Sequence, residues 1–84
     1  MKEIKLHTTL TKKIKVEESM LASHVGSGTV DVYATPMMIA LMENAAAACL
    51  EEFLEEGETS VGVMMNTTHD AATPAGMEVE VCAE

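Results

Sequence analysis

Over residues 13–17, Ile14 and Val16 alternate with Lys13, Lys15 and Glu17, the period-two pattern of a half-buried strand. Gly26-Ser27-Gly28 breaks the chain, and residues 29–33 then read Thr, Val, Asp, Val, Tyr, a second short strand rich in β-formers. Between them, residues 19–24 fit a turn or a short helix. Thr35-Pro36 opens a helix, since a threonine hydroxyl accepts from an unpaired N–H while proline at the first helical position loses no hydrogen bond. That helix is predicted to run to Glu56, with Gly57 as its left-handed terminator, a rod of about 31 Å at ~1.5 Å per residue. Residues 37–50 hold only two polar side chains, Glu43 and Asn44, so this half should be covered on nearly every side. Strand patterns return over 60–68, interrupted by Gly62, and over 77–82. Thr73-Pro74-Ala75-Gly76 forms the turn between them, read as type I. The predicted order is β-β-α-β-β in one α+β domain spanning residues 1–84, whose long helix needs a sheet wide enough to wrap it.

Composition narrows this picture. The chain has 84 residues, enough for one domain, and its 48% apolar share comes largely from eleven Ala and eight Met. Tyr33 and Phe53 are its two aromatics, so the expected core is aliphatic and soft. Net charge is −9, and it is split: residues 1–15 carry +4, whereas residues 16–84 carry −13 and no base. That balance argues against nucleic acid and against an anionic membrane as partner. The longest wholly apolar run, residues 36–42, is far below the ~18 residues of a membrane span. Cys49 and Cys82 show no CxxC spacing, which suits a reducing, cytoplasmic setting.

Three side chains stand out chemically. An acid at position 43, inside an apolar helix, is expected to be desolvated and tuned toward general-base or nucleophilic work. Thr35 precedes it by eight residues, about 12 Å along a helix, where it serves as a helix cap or as a donor to an oxyanion. His69 follows the third predicted strand at a loop edge, a common setting for reactive side chains. No HxxxH, HExxH or Cys/His ligand spacing accompanies it, so no metal and no cofactor is expected. Gly62 marks either a bulge or a close approach of ligand to backbone.

Taken together, Val25-Gly26-Ser27-Gly28, Ala34-Thr35-Pro36-Met37-Met38, Leu41-Met42-Glu43, Thr67-Thr68-His69 and Pro74-Ala75-Gly76-Met77 resemble the fluoroacetyl-CoA thioesterase group of hotdog-fold thioesterases. The likeness extends over residues 12–84 and implies the α+β hotdog fold, a long central helix wrapped by an antiparallel sheet. It implies hydrolysis of an acyl-CoA thioester at a site shared between two subunits of a homodimer or larger homo-oligomer. By resemblance, Glu43 is nucleophile or water-activating base, His69 orients and exchanges protons, and Thr35 hydrogen-bonds the glutamate or the acyl group. Gly62 offers its backbone to the thioester. Members of the group continue for some forty residues with two more long strands, so the sheet of this chain is expected to be incomplete. No Phe precedes Phe53 and Asn44 follows Glu43, departures that favour a general short or medium acyl-CoA over a fluoroacyl substrate.

Two further expectations follow from the shape and charge of the chain. A half-apolar helix that four short strands cannot cover predicts self-association. Lys2, Lys5, Lys12, Lys13 and Lys15 either hold the phosphates of CoA or form a solubilising strand face. The rival to an enzyme is a non-catalytic hotdog module that acts through chain–chain association at its open strand edges.

Overall fold

The computed structural model describes residue 2 and residues 7–84, so Lys5 lies outside the described residues. Strand β1, Leu10–Lys15, pairs antiparallel with β2, Glu78–Ala83, in a register that sets Lys12 opposite Val81 and Ile14 opposite Val79. Beyond the ladder, Val16 N–H donates to Met77 O (2.7 Å) and Gly76 N–H to Val16 O (2.8 Å). Exposure alternates along both strands, with Leu10, Lys12 and Ile14 turned to one face and Thr11, Lys13 and Lys15 to the other. Helix α2, Thr35–Glu51, packs across β1 and β2.

A 3-10 turn, Glu18–Met20, and a single-turn helix α1, Ala22–Val25, fill the stretch read as turn or short helix. The strand expected over residues 29–33 does not form. Only Tyr33 makes a bridge, to Leu21, while the Ser23 hydroxyl donates to Asp31 (2.6 Å) and Val32 N–H turns back to Val30 O. These local side-chain and backbone bonds offer that segment an alternative to a ladder. Tyr33 N–H reaches Thr73 O (2.7 Å), which ties the entry of α2 to the turn before β2. Val16, Leu21 and Tyr33 form the buried centre, with Ile14, Met20, Met37, Met38 and Val79 packed around it. Burying one such aliphatic side chain contributes about 1.5–3 kcal/mol. The Tyr33 hydroxyl donates to Met37 O, and burial pushes the phenol above its ordinary value.

Other departures have physical causes. Helix α2 begins with Thr35 as its first helical residue, behind Ala34, and the threonine hydroxyl does not cap it because that hydroxyl is engaged elsewhere. The helix stops at Glu51 rather than Glu56. Phe53 N–H and Leu54 N–H fall back on Leu50 O and Glu51 O in tighter i to i−3 bonds. Glu51, Glu52, Glu55 and Glu56 crowd the negative end of the helix dipole with no basic residue in the last turn, which opposes further turns. Gly57 therefore falls in a separate turn, closed by Glu58 N–H to Glu55 O. The turn before β2 is Pro74–Met77, closed by Met77 N–H to Pro74 O. Gly76 is its third residue with φ +90°, the backbone a type II turn requires there.

Residues 60–68 form no strand. Among the described residues no backbone group of this stretch pairs with β1 or β2, and Val61, Val63 and Met64 are 82–93% exposed. Helix α2 is likewise open rather than enclosed: of its residues only Ala45 is fully buried, and Ala40, Ala46 and Ala47 face outward. Among the described residues, no helix is long and apolar enough to cross a membrane.

Candidate active site

Helix α2 carries two of the singled-out side chains, and the loop segment 60–72 brings one residue to each. At the helix start, Thr35 Oγ1 lies 2.8 Å from His69 Nδ1. His69 is half-buried, and its ring meets that of Tyr33 edge-on at 6.4 Å between centroids and 77° between planes. Tyr33, held at 2% exposure, thus gives the imidazole a fixed wall. A cavity of about 290 Å³ opens here, bounded by Thr35, His69, Ala22, Ser27, Val32 and Asp70 among others. With Nδ1 engaged by the hydroxyl, Nε2 is the ring nitrogen left for proton exchange.

Two turns along the helix, Glu43 faces Gly62. A methyl placed on Gly62 would stand 2.8 Å from Glu43 Oε2, so an alanine here would require the carboxylate to move, and glycine leaves the backbone open to it. Gly62 is therefore a point of close approach rather than a bulge in a strand. Both residues line a groove of about 710 Å³ floored by Met42, Ala46, Leu50, Met64 and Met65. Glu43 is exposed in this groove, which overturns the expectation of a desolvated acid: the helix face that carries it is not covered.

The four residues thus come together as two pairs, Thr35 with His69 and Glu43 with Gly62. Eight residues separate the pairs along α2, about 12 Å of helical rise. A carboxylate against open backbone can reach an electrophilic carbonyl, and a hydroxyl–imidazole pair can deliver a proton. Among the described residues no group of three or more His, Cys, Asp or Glu is arranged to hold a metal.

One contact at this site was not anticipated. Lys12 Nζ donates to Asn44 Oδ1 at 2.5 Å, joining β1 to the residue after Glu43. The signal was present in the alternation, which sets Lys12 on the same face as Leu10 and Ile14. Lys13 instead faces the other side, 3.6 Å from Glu80 Oε2, and Lys15 shares that outer face. The lysines of β1 therefore do not form one patch for a nucleotide.

A family model described as fluoroacetyl-CoA-specific thioesterase matches residues 16–84. A fluoroacetyl-CoA thioesterase from Streptantibioticus cattleyicolor is 46% identical over 54 residues, which are 64% of this chain and 39% of that relative's own length. A solved structure of a fluoroacetyl-CoA thioesterase superposes with a TM-score of 0.91 at 32% identity, covering 98% of this chain and 65% of the other. A mutant of a fluoroacetyl-CoA-specific thioesterase in complex with fluoroacetate and CoA gives a TM-score of 0.89 at 32% identity, over 96% of this chain and 70% of that one. The chain thus spans about two thirds of the length of these structures. The fold is hotdog-type α+β, a long helix against an antiparallel sheet.

Proposed function

The chain belongs to the fluoroacetyl-CoA-specific thioesterase family, and on that premise we propose that it hydrolyses the thioester of a short or medium acyl-CoA to a carboxylic acid and the free thiol of CoA. The observation that carries this reading is the Glu43 carboxylate standing against the bare backbone of Gly62 inside a methionine-floored groove. A thioester carbonyl seated beside Gly62 meets the carboxylate from one side. Glu43 then either attacks the carbonyl carbon, forming an anhydride that water opens, or takes a proton from the attacking water. In both routes the C–S bond breaks, a C–O bond forms, and the departing thiolate needs a proton. His69, oriented through Thr35, is the group suited to supply it.

The two pairs are about 12 Å apart along one helix, a separation that favours a site completed by the second subunit of a homodimer. The open alanine face of α2 and the exposed Val61, Val63 and Met64 support such an association. Methionines flooring the groove adapt to different acyl chains, which supports a general substrate class over a fluoroacyl one. The same exposed segment also fits the second reading, a non-catalytic association module.

Release of free thiol from a panel of acyl-CoAs separates these readings. Glu43→Gln is expected to lower kcat at least ~100-fold while the protein remains folded. An active parent whose Glu43→Gln variant turns over at the parental rate would remove Glu43 from the chemistry, and a folded, associated parent that releases no thiol would favour the module.

A further inference from the structure

We propose that Lys12 is a positioning residue that holds the Glu43–Asn44 turn of α2 in register with Gly62; the inference rests on the reading of Glu43 given above. The inward face of the β1–β2 sheet consists of Leu10, Lys12 and Ile14 with Val79, Val81 and Ala83, and Lys12 is its one charged member. A lysine is an uncommon side chain for such a position, and it is accommodated here because its stem is half-buried while its ammonium reaches out to the exposed carboxamide oxygen of Asn44, at 2.5 Å. Lys12 is half-buried, so its stem packs between sheet and helix while its head is fixed.

The location of that bond gives it a purpose. Asn44 follows Glu43 directly, and consecutive helical residues point about 100° apart, so with Asn44 turned to β1 and Lys12 the Glu43 side chain is turned away, toward Gly62. Asn44 also lies on the wall of both the Glu43 groove and a second groove of about 500 Å³ that reaches Lys12. The helix beyond Asn44 is a run of alanines, residues 45–48, flanked by Met37 and Met38 in the core toward its start and by Cys49, whose Sγ donates to Thr8 O, toward its end. Between those anchors the charge-assisted hydrogen bond from Lys12 holds the Asn44 turn against β1. The groups that face the ammonium from the other side of its groove, Glu51, Glu55, Glu56 and Glu58, are all exposed carboxylates that oppose an anionic substrate there. That charge balance assigns Lys12 to positioning rather than to binding CoA phosphates.

The test compares Lys12→Met, Lys12→Arg, Asn44→Leu and the outward-facing control Lys15→Gln. Amide hydrogen exchange over residues 42–47 is expected to quicken at least ~10-fold in Lys12→Met and Asn44→Leu while the β1–β2 ladder keeps its protection. Acyl-CoA hydrolysis by the same two variants is expected to show kcat lowered at least ~10-fold at unchanged KM, partial recovery in Lys12→Arg, and the parental rate in Lys15→Gln. Unchanged kcat in Lys12→Met would overturn the proposal, as would a raised KM at unchanged kcat, which would make Lys12 a substrate contact. Should the parent release no thiol, the thioesterase reading falls by itself, and parental exchange over residues 42–47 in both variants would then overturn the positioning role separately.

Discussion

At the scale of single residues, the site depends on an absent side chain as much as on those present. Gly62 does not have a left-handed backbone; its bare Cα leaves room for the Glu43 carboxylate, which lies 2.8 Å from the ideal Cβ position. Gly62→Ala must push the carboxylate or the loop aside by several tenths of an ångström or more. Misplacement on that scale is expected to lower kcat about 10- to 100-fold. The segment is exposed, so thermal stability should scarcely change. Steady-state kinetics beside a melting curve checks this, and full turnover in the alanine variant would show that the close approach serves no catalytic purpose. Thr35 illustrates a different lesson. Its hydroxyl has two possible employers, the helix N-terminus and His69, and the imidazole takes it while Ala34 fills the capping position.

Among the elements, α2 is limited by charge at its end. Glu52 sits at the C-cap, after Glu51 and three residues before Glu55, so Glu52→Lys is expected to stabilise the helix by about 0.3–1 kcal/mol and raise Tm by a few degrees at low salt. Thermal melts in low and high salt test it, because the gain should shrink as screening grows; an unchanged or lower Tm in low salt would mean that the dipole does not set the helix end. How far the elements were legible follows from the same physics. Both β1 and β2 could be read because Ile14, Val79 and Val81 alternate with charged neighbours and the two segments find each other. Helix α2 could be read from Thr35-Pro36 and its apolar run, but its C-terminus could not, since a glycine at 57 is a weaker signal than four unpaired glutamates. The stretch 60–68 has the composition of a strand, yet a strand exists only beside a partner, and a linear pattern of Val and Met carries no information about one. The spacing of Thr35, Glu43 and His69 singled out three candidates without revealing that with Gly62 they sort into two pairs, because pairing depends on how the loop 60–72 crosses α2. The burial expected of Glu43 failed because, among the described residues, nothing covers the helix face bearing it.

For the whole molecule, the separation of the pairs becomes a question of which chain supplies what. If one catalytic set draws Glu43 from one subunit and Thr35 with His69 from another, two inactive variants can complement each other. Mixing Glu43→Ala with His69→Ala after unfolding and refolding together is expected to restore roughly a quarter of parental turnover, since half of the dimers are mixed and each of those has one intact site. Each variant refolded alone should remain inactive. No recovery in mixtures that sediment as dimers would place all four residues in one chain.

The pairing of β1 with β2 has a consequence for how the molecule is made. Residues 10–15 find their partner only at residues 78–83, so the sheet closes a loop of some sixty residues, an entropic demand of roughly 4 kcal/mol before any contact repays it. During translation at ~5–20 residues per second, β1 therefore waits roughly 3–14 s for the residues it must join. Throughout that interval the strand is open on both edges, and Lys13 and Lys15, which alternate with Ile14, are edge charges of the kind that disfavours pairing with another copy before residues 78–83 emerge.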